Sequence, residues 1–113
     1  MVIGDDLVTT NAKRLQKAID KGSCNAVIVK PNQVGTVTET IELMTLAQKN
    51  NITQIASHRS GETNDTFIAD FAVGMGAQYA KFGAPDRGER VAKYNRLLEI
   101  ESYLGLANVA NKV

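Results

Sequence analysis

One cysteine, two prolines, one histidine and no tryptophan occur in the 113 residues. A lone thiol, Cys24, has no internal partner, which excludes a disulfide-stapled scaffold and makes a reducing, cytoplasmic setting the expectation. We read Cys24 as structural, since no base stands near it in sequence. Charge of one sign is also lacking. Thirteen basic and 12 acidic residues are interspersed and leave a formal net charge of +1, so neither a nucleic-acid nor a membrane partner is expected. No apolar run reaches membrane-spanning length, and Met1 leads almost at once into Gly4-Asp5-Asp6, not into a secretory leader. What remains is ordinary: 43% hydrophobic and 22% charged residues suffice for one domain with a core of moderate size.

Apolar runs of strand length alternate with helical patterns. Val2-Ile3-Gly4 ends at Asp5-Asp6, and Thr9-Thr10-Asn11 offers capping groups to a helix carrying Leu15, Ala18 and Ile19 as far as Lys21-Gly22. Asn25 to Val29 is a β-branched strand closed by Lys30-Pro31. Asn32-Gln33 and Gly35 then read as a loop. Thr36-x-x-Glu39 forms a capping box before a helix that runs to about Lys49, with Val37, Ile41 and Met44 predicted on one face. Ile52 to Ala56 is the third strand, and Thr66 to Gly74 the third helix, with Phe67, Ile68, Phe71 and Ala72 on its apolar side. Gln78-Tyr79-Ala80 is a weaker strand closed by Lys81. Beyond the Gly83-Ala84-Pro85 turn, a helix from about Gly88 to Tyr103 presents Val91, Tyr94 and Leu98, and Gly105 stops it. The fold class expected is α/β, as four successive β/α units with a parallel sheet.

Asp5, Lys30, His58 and Lys81 each stand at or just past the end of a successive strand, the edge where ligands bind in α/β folds. The loop from Ser57 to Asp65 contains His58, Arg59 and Ser60 followed by a flexible glycine. A planar guanidinium beside a hydroxyl suits a phosphate group. Lys30 follows Val-Ile-Val directly. Its ammonium either starts from a partly buried position, where desolvation moves it towards base duty, or snorkels to solvent. Asp5 or Asp6 offers oxygen to a hard divalent cation, a weak signal because no acid stands at the other strand ends. Together these groups suggest chemistry on an anionic, phosphorylated substrate.

Gly4-Asp5-Asp6-Leu7 with Thr9-Thr10-Asn11, the stretch Val29-Lys30-Pro31-Asn32-Gln33-Val34-Gly35-Thr36, Ser57 to Thr63 continuing through Asp65 to Asp70, and Lys81 with Gly83-Ala84-Pro85, Arg87, Glu89-Arg90 and Ala92-Lys93-Tyr94-Asn95 stand in a distinctive order and spacing. They resemble enolase, the phosphopyruvate hydratase of glycolysis. The resemblance covers about residues 2 to 104 and leaves 105–113 as a tail. It matches only the C-terminal portion of the family, half of its eight-stranded TIM-like barrel.

By that resemblance, Lys30 is the base that removes the C2 proton of 2-phosphoglycerate on the way to phosphoenolpyruvate, and Lys81 supports the charge of the enolate. Asp5 is one of the acidic ligands of Mg²⁺. His58, Arg59 and Ser60 bind substrate, with Arg59 and Ser60 on the phosphate. A lysine base working beside Mg²⁺ is the established pattern of the enolase superfamily. One departure is Phe82, where the family has a smaller residue after its second lysine. The remaining metal ligands, the glutamate acid and the mobile lids belong to the portion missing here. The resemblance thus implies a segment inactive alone, whose partners are a complementary enolase N-terminal segment or further copies of itself. From the residues alone, a non-catalytic phosphate-binding module and a self-associating half-barrel remain as alternatives.

Overall fold

A computed structural model describes residues 1–105; the last part of the expected tail, 106–113, lies outside the described residues. The elements are β1 (Ile3–Gly4), α1 (Ala12–Asp20), β2 (Ala26–Val29), α2 (Pro31–Val34), α3 (Val37–Lys49), β3 (Thr53–Ser57), α4 (Phe67–Gly74), β4 (Tyr79–Lys81) and α5 (Gly88–Tyr103). All strand pairs are parallel, and the four strands lie side by side in chain order, β1-β2-β3-β4. The expected α/β architecture is present, as an open sheet and not a closed barrel.

Period-two alternation sorts the strand residues between two faces. Val27, Val29 and Ala56 join Leu15, Leu43, Met44, Ala47, Ile68 and Phe71 in the main core beneath the helices. Ala26, Ile28 and Ile55 form a separate cluster, and the register aligns Ile3 with Ala26 and Ile28 with Ile55 and Tyr79 on that second face. At its two margins Ile3 and Tyr79 are exposed.

Four expectations shift in detail. The segment after Lys30 is not plain loop: Pro31–Val34 forms the short α2, with Pro at its start, where no N–H is needed, and Gly35 left-handed at φ 107° to end it. The core face of α3 is Thr40, Leu43, Met44 and Ala47, while Val37 and Ile41 are exposed. On α5 the inward stripe is Lys93, Tyr94 and Leu97, and Leu98 is 62% exposed. Each predicted stripe was displaced by about one residue, because a polar or charged member of the true stripe (Thr40, Lys93) disguises it. Phe67 is likewise exposed, although it stacks on Phe71 at 5.5 Å between centroids.

Phe82 is fully buried. One step past Lys81, alternation sends it to the helix layer, where it meets Tyr94 at 5.9 Å. It therefore does not crowd the mouth of the sheet.

Gln54 is fully buried on β3, and neither its side-chain oxygen nor its nitrogen has a partner among the described residues. An unpartnered buried amide costs on the order of 1–3 kcal/mol. Gln54→Met, which keeps the volume and removes the polar atoms, should raise unfolding stability by about 1 kcal/mol in urea titration. A loss of stability would show that the amide is satisfied.

Candidate functional site at the strand ends

The C-terminal ends of the strands converge on one edge of the sheet, and each contributes an ionisable group. Lys30 follows β2, and its side chain is only 12% exposed, which favours the partly buried of the two positions open to a residue leaving Val-Ile-Val. Its Nζ donates to Asp5 Oδ1 at 2.5 Å, and Asp6, 90% exposed, stands further off at 3.9 Å. The backbone behind Lys30 is pinned. Its N–H donates to Thr10 Oγ1 at 2.9 Å, and that hydroxyl donates in turn to Gln33 Oε1 on α2 at 3.0 Å. Thr10 is buried, and both Thr9 and Thr10 adopt positive φ, 53° and 52°. β-branched residues rarely hold that conformation unless their surroundings impose it. The helix cap is Asn11 alone, whose side chain accepts from Arg14 N–H at 3.1 Å; the predicted capping threonine faces inward and serves the Lys30 loop.

His58 follows β3, and its N–H donates to the carbonyl of Lys81 at 3.1 Å, extending the β3–β4 pairing by one bond. It stands one residue beyond Ser57, whose Cα aligns with Lys81, so alternation separates it from the face carrying Lys30. Its ring packs where a side chain on Gly83 would sit. A Cβ there would lie 3.1 Å from His58 Cε1 and 2.6 Å from Arg90 Cδ, at φ +80°. Only glycine allows that approach. The Nδ1 atom is buried without a partner among the described residues. Burial pushes the imidazole below the ordinary histidine value of 6.5, Glu62 opposes this, and Arg90, Lys93 and Lys81 reinforce it.

His58 lines two adjoining clefts. One, about 220 Å³, also involves Pro31, Asn32, Ser57 and Phe67. The other, about 190 Å³, is formed with Arg59, Ser60, Glu62, Arg87 and Arg90. Arg59 and Ser60 are exposed, and among the described residues the Arg59 guanidinium makes no ion pair. The same holds for the exposed Lys81. The structure thus joins Asp5 to Lys30 directly and places Arg59 and Ser60 in a neighbouring groove towards α5. A larger groove of about 520 Å³ between α4 and α5 contains none of these residues.

As a metal centre this end is incomplete. Asp5 offers one carboxylate, and one of its oxygens is already held by Lys30. No group of three His, Cys, Asp or Glu residues able to hold a metal occurs among the described residues. Mg²⁺ demands near-octahedral oxygen coordination, so these donors do not fit it by themselves.

A family model for the enolase C-terminal TIM barrel domain matches residues 1–112. The chain belongs to the enolase family. It is similar to the enolase of Ureaplasma parvum serovar 3, at 60% identity over 91% of the chain and 23% of that protein. The enolase of Metallosphaera sedula is 55% identical over 100% of the chain and 27% of its own length. Enolase 2 of Lactobacillus johnsonii is 58% identical over 95% of the chain and 25% of its own length. The chain spans about a quarter of the length of the curated relatives it matches.

Sequence reasoning missed Thr10 as an anchor of Lys30 and Lys93 as a buried cation. A threonine beside a second threonine read as a helix cap, and Lys93 entered only as one member of the stretch Ala92-Lys93-Tyr94-Asn95.

Thr10→Val keeps the shape and removes two hydrogen bonds, and it should cost about 1–3 kcal/mol in denaturant unfolding. The single imidazole also allows a direct titration by proton NMR, with a midpoint expected below 6.5. Between that midpoint and 6.5 the unfolded chain binds more protons than the folded one. His58 therefore withdraws stability as pH falls through the window, and the loss is complete only below the folded midpoint. Glu62→Gln should lower the midpoint further; a rise would contradict the electrostatic assignment.

Proposed function

We propose that the chain is the C-terminal segment of a cytoplasmic, Mg²⁺-dependent enolase that dehydrates 2-phosphoglycerate to phosphoenolpyruvate. The observation that carries this reading is the Lys30–Asp5 pair at the ends of β2 and β1, backed by a buried threonine, with the Arg59 guanidinium, which makes no ion pair among the described residues, in a neighbouring groove. Lys30 would take the proton at C2, Arg59 and Ser60 the phosphate, and Lys81 and His58 would bind the substrate. Asp5 would supply one ligand to Mg²⁺, which neutralises negative charge on the substrate when bound. One carboxylate does not by itself hold Mg²⁺, and without the metal the C2 proton is too weakly acidic for a lysine to remove. The isolated chain should therefore be inactive, and the rest of the active site would come from a complementary segment.

A second reading rests on the sheet margins. Among the described residues β1 and β4 each leave one edge unpaired, and an open parallel sheet with exposed Ile3 and Tyr79 invites another chain. In the absence of a complementary segment, the chain would self-associate as a phosphate-binding half-barrel, most simply about a two-fold axis.

Absorbance of phosphoenolpyruvate with excess Mg²⁺ should show no turnover by the chain alone. Grafted in place of the corresponding quarter of the Metallosphaera sedula relative, the chain should turn over, and Lys30→Ala should then lower kcat by about 10²–10⁴-fold. A folded but inactive graft would overturn the reading. Sedimentation of the isolated chain should show a species larger than a monomer; a compact monomer at high concentration would exclude the second reading.

A further inference from the structure

Lys93 is a lysine with no exposed surface, on the core stripe of α5. A fully buried ammonium survives only if its charge is compensated and its protons are all used. Its Nζ donates to the carbonyl of Glu89 at 2.8 Å, within its own helix, and to the carbonyl of Thr63 at 3.1 Å. It also pairs with Glu62 Oε2 at 3.2 Å. The two latter partners belong to the loop between β3 and α4. The other oxygen of the same carboxylate, Glu62 Oε1, accepts the backbone N–H of Arg59 at 2.9 Å. A continuous chain of charge-assisted contacts therefore runs from the interior of α5, through one carboxylate, to the main chain of Arg59, whose guanidinium lines the groove and makes no ion pair among the described residues. Gly61, between the two, is left-handed at φ +78°, so the turn itself gives the loop little stiffness.

We propose that Lys93 is a positioning residue of this loop: through Glu62 it fixes the backbone at Arg59, and so sets where the Arg59 and Ser60 side chains meet an anion. That the anion is a substrate phosphate rests on the enolase reading; that Lys93 orders the loop does not. The buried end of the clamp is what makes it stiff. A pair in solvent would be loosened by water and screened by salt, whereas this one has its cation inside the core.

The test is backbone ¹⁵N relaxation of the unliganded 113-residue chain, compared at Arg59 and Glu62 and at Leu43 in the core. Order parameters for the two loop residues should lie near the rigid value of about 0.85 in the parent chain and fall below about 0.6 in Lys93→Met, with Leu43 unchanged. Glu62→Ala should loosen Arg59 to the same degree, and the double variant, which leaves no buried charge without its partner, should loosen it no further. Should either single variant fail to fold, the double variant decides. A loop that stays rigid in any folded variant would overturn the proposal, as would loosening that spreads equally to Leu43 and marks Lys93 as a general support of the core. Because no ligand is added, the outcome is independent of whether the chain acts as an enolase segment.

Discussion

The parallel register of the sheet is the constraint on which the rest depends. Once Ile3 aligns with Ala26 and Ile28 with Ile55 and Tyr79, period-two alternation leaves no freedom about which side chains share a face. Asp5 and Lys30 continue the same face past the ends of β1 and β2, which brings their side chains into contact across 25 residues of sequence. The same rule turns Phe82 away from that end and into the helix layer. A slip of one residue in any pair would exchange core for mouth.

Around this frame the site is held by polar groups buried among apolar ones. Thr10 spans the first two units and fixes the backbone of Lys30 and the side chain of Gln33. Lys93 plays the corresponding part in the third and fourth units, joining α5 to the loop after β3. Both are fully buried. An interior hydrogen bond is strong because its surroundings polarise poorly, and for the same reason an unpaired partner there is costly. Such anchors hold a loop to one geometry more firmly than surface contacts do.

The order of elements was legible because it is written in hydrophobic period and in punctuation: β-branched runs before Lys30 and His58, a weaker run closed by Lys81, a capping box at Thr36, glycine at the helix ends. Strand boundaries moved by a residue, as at β3, which starts at Thr53 and not Ile52. The helix faces were less legible. Residues 37, 41 and 44 fit a helical stripe as well as 40, 43, 44 and 47 do, and only packing chooses between them. The strand-end residues were found because chemistry and position coincide there. Lys93 and Thr10 were hidden because their importance comes from what surrounds them: the sequence offers a lysine and a threonine, and burial exists only after folding.

Because the strands lie in chain order, the sheet is close to a one-dimensional array in which each strand touches only its sequence neighbours. In such an array, opening proceeds inward from the ends. The terminal members are also the shortest, β1 with two residues and β4 with three, against four and five in the middle. Asp5 and Lys81 therefore ride on the members that unzip first, while Lys30 and His58 sit on those that unzip last. The site is graded in permanence: its centre is as durable as the domain, and its flanks are only as durable as whatever comes to lie against them.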